Sequence, residues 1–242
     1  MRAVPLAVVL MGVAARPAPH DPSIGVLVDA RARSVPSAHG RCRLQAGPVA
    51  HDLRVWLDGD RMHLAVLGPF GTPRLVLRSD GRGVALQQGP ETLVAADADT
   101  VLQVLGLPRL GEVAGLWVGR LPDAARQSQA LPDGRAWAGH ALGFRDLALS
   151  AIVHPRHGVE LIDVGPARGA SVVSLSRSAT HPGGLPDVVR LHLRDRPMAV
   201  ATCTWTEGPA PDVAFALDGG QSTPLEELGH RFLAPLLPSL SP

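Results

Sequence analysis

His154-Pro155-Arg156-His157 brings two imidazoles close enough in the chain to share a metal ion or relay a proton. The pair flanks a Pro-Arg-His-Gly turn between two strand-like segments, however, and a solvated hairpin tip is the better reading. The other histidines are scattered, with no i, i+4 pair that a helix would bring onto one face. Asp58 and Asp60 around Gly59 resemble the start of a calcium loop. Yet Asp-Gly recurs at 80–81, 133–134 and 218–219, where it is ordinary turn chemistry. No GxSxG, HExxH or phosphate-loop pattern occurs. An active site needs titratable groups that converge in a pocket, and this sequence assembles none. Neither an enzyme nor a metal or cofactor site is expected.

Two further features carry chemistry of a different kind. Cys42 and Cys203 lack any CxxC or zinc spacing and sit in strand-like segments, on faces shared with apolar residues. They read either as two small buried thiols or as a disulfide in an oxidising compartment. Leu67-Gly68-Pro69-Phe70-Gly71-Thr72-Pro73 places an aromatic ring at the tip of a Gly/Pro turn, where a polar residue is the norm. An exposed Phe on a rigid loop points to contact with an apolar phase; the alternative is that Phe70 folds back onto the sheet as a plug.

The elements that must position these groups follow from composition and period. The chain has 242 residues, 45% of them hydrophobic and 19% charged, with net charge +1. It can bury a sizeable core, and it lacks the basic stripe of a nucleic-acid protein. All 23 basic residues are Arg, and Lys, Asn and Tyr are absent. A GC-rich genome accounts for that bias, so an Arg here needs no functional explanation by default. Arg2 precedes an apolar run to Ala15 that is too short to span a bilayer and reads as a signal-like segment over 1–15. A Pro-rich linker over 16–22 follows.

Asp21-Pro22 starts a short helix. From Gly40 the period is two: Cys42 and Leu44, then Leu53, Val55 and Leu57, then Met62, Leu64 and Val66, then Leu75 and Leu77, then Val84 and Leu86, linked by Asp-Gly and Gly-Pro turns. One-sided alternation with tight links predicts an antiparallel meander. Asp97 to Leu105, capped by Asp97 or Asp99, and 110–119 read as helices. They present Val101, Leu102 and Leu105, then Leu110, Val113, Ala114 and Trp117. Strands resume after Pro132-Asp133-Gly134 and run through Leu147–Val153, Val159–Val164, Val173–Leu175, Val189–Leu193 and Ala201–Trp205 to Phe215 and Leu217. Residues 221–242 form a C-terminal tail, helical in part. The predicted fold is mainly β with an α insertion: one sheet of about ten strands that must curl.

At the Phe70 loop the chain resembles LolB, the outer-membrane receptor that accepts lipoproteins from a soluble periplasmic carrier and inserts them into the membrane. The resemblance lies in Met62–Leu77, strand, Pro-hydrophobe-Gly turn, strand. It continues in Leu105-Gly106-Leu107-Pro108 with Gly119-Arg120-Leu121-Pro122, in Leu185-Pro186 before a long strand pair, and in Pro211 to Leu217. It covers about residues 23–220 and implies a single unclosed antiparallel β-barrel of the LolA/LolB type with a helical lid over 97–121. It also implies a membrane-insertion loop at Gly68, Pro69, Phe70 and Gly71. Val13 stands where the family carries its lipidated Cys, which counts against a covalent lipid anchor.

The residues of shared parity, Val55, Leu57, Met62, Leu64, Val66, Leu75, Leu77, Val84 and Leu86, are then expected to line an acyl-chain cavity under the lid residues Val101, Leu102, Leu105, Val113, Leu116 and Trp117. The function implied is a monomeric periplasmic carrier at the inner face of the outer membrane. Its partners would be lipoprotein acyl chains, a LolA-like soluble donor and the membrane surface, with no nucleic acid. The alternatives are a carrier of free lipid or glycolipid on the same fold, a small-molecule enzyme and a lipoprotein-sensing domain.

Overall fold

The computed structural model describes residues 22–104, 109–122, 127–141, 147–166, 172–179, 184–194, 196–217 and 219–236. The signal-like segment, nearly all of the linker, Leu105 and the Gly106-Leu107-Pro108 step lie outside them.

Among the described residues fourteen strands form one sheet, more than the ten or so expected. The first arm runs β1 (Ala38–Ala46), β2 (Val49–Asp58), β3 (Arg61–Leu67), β4 (Pro73–Ser79), β5 (Val84–Gln88) and β6 (Glu91–Ala95), each antiparallel to the one before. The second arm runs β7 (Gln127–Ala130), β8 (Ala136–Ala141), β9 (Leu147–His154), β10 (Gly158–Pro166), β11 (Val173–Ser178), β12 (Val188–Leu193) and β13 (Arg196–Glu207), again a meander. The arms join where β13 pairs with β1, and β14 (Gln221–Ser222) adds a parallel edge strand beside β6. The sheet ends at β14 on one side and β7 on the other, without closing. The strands beyond the expected count come partly from the polar β7 and the Ala-rich β8, which carry little periodic signal, and from the short β14.

Cys42 and Cys203 face each other across the β1–β13 seam and are disulfide-bonded, 161 residues apart in sequence. A cross-link over so long a loop removes several kcal/mol of freedom from the unfolded chain. The double variant Cys42→Ala/Cys203→Ala is expected to lose roughly 2–5 kcal/mol in urea unfolding. An unchanged midpoint would mean that the seam's hydrogen bonds suffice without the cross-link.

Helices cover one face, called the inner face below. Helix α1 (Pro22–Arg31) precedes the first arm but packs on the second, where Leu27 and Ala30 join Ala138, Leu149, Ala151 and Val153. Helix α4 (Leu225–Leu236) follows the second arm but packs on the first through Leu228. Between them lie α2 (Ala98–Val104) and α3 (Leu110–Trp117), the latter touching both clusters. Asp99 lies in the first turn of α2, where its carboxylate accepts the Leu110 N–H at 2.9 Å and so caps α3, the next helix.

Two elements differ from the sequence reading. Phe215 and Leu217 do not close the sheet as a strand. Asp212–Phe215 is a 3-10 turn laid across the outer face of β3, with Phe215 buried under the Arg61 guanidinium, 4.6 Å from the ring centre. The C-terminal segment is also more than a tail: it rounds the sheet edge as β14 and returns to the inner face as α4.

Candidate ligand cavity and exposed loop

Strand register puts the expected cavity residues in adjacent rows of the inner face. One row reads Val55, Leu64, Leu77, Leu86 across four strands; the rows beside it hold Val66 with Leu75 and Leu57 with Met62 and Val84. All nine belong to one apolar cluster. Most of them pack solidly, however: Val55 and Leu57 are 0% exposed, and Leu86 1%. Ala98, Ala114, Val118 and Leu228 of the covering segments fill the space above them.

The open volume lies further along the sheet. A cavity of about 270 Å³ is lined by Leu44, Leu53, Leu64, Leu175, Val189, Leu191, Ala199 and Ala201, with Trp117 and Phe232 at its helical side. Of the nine expected residues only Leu64 reaches it. The others pack beside it, in the cluster that α3, and α4 from the far end of the chain, join through Ala114 and Leu228. Every lining residue is apolar, so the cavity offers burial without hydrogen-bond recognition. Its volume sits just under the ~300–1,000 Å³ of ordinary ligand pockets. It therefore takes part of one alkyl chain as it stands, and more only if Trp117 or Phe232 moves.

Of the expected lid residues, Trp117 lines the cavity and packs edge-on against Trp205, with centroids 6.1 Å apart. Leu116 turns to the second cluster instead. Val101, Leu102 and Val113 are half-buried on α2 and α3. The end of α3 is held by Arg177, a residue that sequence reasoning passed over among so many arginines. Its buried guanidinium donates to the carbonyls of Val159 (2.6 Å), Trp117 (2.9 Å), Gly184 (2.6 Å) and His157 (2.6 Å). Burial, with the Arg33 charge nearby, lowers its pKa to about 10, so it stays charged at neutral pH. Gly119 has φ of +77°, and a Cβ there would strike this guanidinium. Arg177→Ala would strand four carbonyls and is expected to cost more than about 3 kcal/mol in chemical denaturation. A loss below 1 kcal/mol would mean that water replaces the guanidinium freely.

The Phe70 loop stands apart from all this packing. Phe70 is 102% exposed, in a 3-10 turn Pro69–Gly71 between β3 and β4. It does not fold back as a plug. Its φ of 64° is left-handed, a conformation that costs an L-residue with a bulky side chain about 1–2 kcal/mol. The turn is closed by the Gly68 N–H donating to Thr72 O at 2.7 Å and by the Thr72 hydroxyl donating to Pro69 O at 3.1 Å. A strained, rigid loop thus presents a whole phenyl ring to the surroundings.

The remaining sequence candidates are structural. His154 and His157 stack at 4.7 Å, and His154 Nδ1 accepts the Arg156 N–H at 3.0 Å inside the hairpin turn. Asp58 accepts from Ser37 and Arg61, which hold its carboxyl below the usual range.

No protein-family model matches the chain, and no curated protein does. Solved structures do. A Vibrio parahaemolyticus domain named for outer-membrane lipoprotein sorting superposes with a TM-score of 0.52 at 8% identity, covering 80% of this chain and 95% of its own. A DUF1329 family protein from Desulfovibrio piger gives 0.51 at 12% identity, over 81% and 95%. This chain shares the fold of those two structures. A LolA superfamily protein from Nitrosomonas europaea also aligns, with a TM-score of 0.49 at 10% identity over 80% of this chain and 97% of that one. The open sheet with helices on one face, expected from the Phe70-loop resemblance, is present in this chain.

Proposed function

We propose that this protein is a non-enzymatic, LolB-like carrier in the periplasm. It takes the acyl chains of lipoproteins from a soluble LolA-like donor and delivers them to the inner face of the outer membrane. The observation that carries this reading is the pairing of a wholly apolar cavity with a fully exposed, strained Phe70 on one rigid sheet. Burial of each CH₂ contributes about 0.8 kcal/mol, so sheltered acyl chains bind well without specific contacts. Release needs only a larger apolar phase, which a membrane supplies. The Cys42–Cys203 disulfide fits an oxidising compartment. The lipoprotein-sorting name of the Vibrio neighbour points the same way.

A second reading, a carrier of single free fatty acids or lipids, is favoured by one observation: about 270 Å³ is small for a multiply acylated cargo. Mass spectrometry of lipid extracted from the purified protein, before and after incubation with a triacylated lipoprotein, separates the two. Stoichiometric retention of the lipoprotein supports the first reading. Retention of free lipid alone, unaffected by lipoprotein, supports the second.

A further inference from the structure

Behind the cavity, on the outer face of β2 to β5, lies a second recess of about 370 Å³. Register sets its plan. Ala65 and Val76 form a low apolar floor, with Arg54 at one end of their row and Gln87 at the other. The neighbouring row, Trp56, His63 and Arg78, makes one wall. Leu67, Pro73 and Arg74 make the opposite wall, and these are the residues that flank the Phe70 turn.

Three guanidinium groups therefore surround a floor of small side chains, and no carboxylate lines the recess. The acidic residues nearby are engaged elsewhere: Asp52 lies 3.6 Å from Arg43, and Glu91 lies 3.0 Å from Arg231. Arg78 donates to Gln87 and to the Ala216 carbonyl. Arg54 lies over the Trp56 ring at 5.5 Å. Among the described residues, neither Arg54 nor Arg74 has an ion-pair partner. Burial, together with the Arg78 and Arg54 charges, lowers the pKa of His63, the fourth basic side chain of the recess.

We propose that this recess binds the phosphate headgroup of an anionic phospholipid in the membrane that Phe70 enters. The proposal rests on the membrane-delivery reading above and adds the lipid class that the docking face selects. Guanidinium groups match phosphate oxygens in geometry and charge. A Trp beside them suits the polar-apolar boundary of a bilayer. Because the Phe70 turn forms one lip of the recess, a single approach seats the ring among acyl chains and brings the arginines to headgroup level.

The test is sedimentation of the full chain with vesicles of phosphatidylcholine alone or with added phosphatidylglycerol. Wild type is expected to bind the anionic vesicles more tightly. Arg54→Gln/Arg74→Gln should lose most of that gain, about fivefold per arginine, while keeping its binding to neutral vesicles and its uptake of a fluorescent fatty acid. Arg190→Gln/Arg196→Gln removes the same charge from exposed positions on β12 and β13, strands that do not line the recess, and should bind as wild type; an equal loss there would reduce the effect to diffuse charge and overturn the proposal. Competition by soluble glycerol phosphate at concentrations equal to the vesicle lipid would overturn it too, in favour of a free-anion site. If phosphatidylglycerol makes no difference while Phe70→Glu abolishes binding to both vesicles, the headgroup site falls and the membrane reading stands. If wild type binds neither vesicle, both fall.

Discussion

Phe70→Glu is expected to abolish delivery of cargo to membranes while leaving the fold and cargo uptake intact. The ring makes no packing contact that folding would lose, since it is 102% exposed, and surface changes of this kind stay within about 0.5 kcal/mol. Burying a phenyl ring in a bilayer is worth roughly 1.5–3 kcal/mol, or about 10- to 100-fold in membrane affinity. A carboxylate at the tip must keep its water and adds a penalty on top. Phe70→Gly sharpens the test. Glycine accepts φ near 64° without strain, so this variant should be as stable as wild type or more so, by up to about 1 kcal/mol, and yet should deliver poorly. Urea unfolding and a liposome transfer assay read the two effects separately. A large loss of stability with normal transfer per folded molecule would give Phe70 a structural role instead.

Ala199→Phe is expected to block cargo uptake. Ala199 lies on β13 opposite Leu191 and forms part of the cavity wall, so a phenyl ring there projects into the space proposed for an acyl chain. At about 0.8 kcal/mol per CH₂, displacing three methylenes lowers affinity roughly 50-fold. Overpacking costs the fold about 1–3 kcal/mol at most. Leu86→Ala is the counterpart: Leu86 is buried in the same cluster but does not line the cavity. It should cost about 2–5 kcal/mol of stability and leave uptake per folded molecule unchanged. Fluorescent fatty-acid titration distinguishes the pair. Equal loss of uptake in both would mean that cargo lies on the row from Val55 to Leu86 after all.

The contrast between these two variants also shows where sequence reasoning reached its limit. Alternation from Cys42 to Leu86 is local information, and it placed nine side chains on one face because a strand's parity is set by its own residues. Whether that face is cavity or core depends on what docks on it. The answer comes from Leu228 and Phe232, more than 130 residues away from Leu86 in the chain. The helical tendency within the 221–242 tail is legible in the sequence; its destination is not. Phe215 alternates like a strand residue, yet the Pro211 turn carries it over the outer face, where Arg61 covers it. Arg177 was hidden by composition, since one buried arginine among 23 has no distinguishing neighbour in sequence. The Cys42–Cys203 pairing needed the β1–β13 register, a contact between opposite ends of the chain. Phe70 was readable because Gly and Pro on both sides fix the turn locally.

The most direct test of the account is a transfer experiment. A triacylated lipoprotein is loaded on a soluble LolA-like donor and mixed with this protein and liposomes, and lipoprotein in the floated liposome fraction is measured over time. The account predicts transient capture by this protein, then appearance in the liposomes, with capture lost in Ala199→Phe and delivery lost in Phe70→Glu. Capture that persists equally when the lipoprotein's acyl chains have been removed would contradict it, because the cavity offers nothing to bind except those chains.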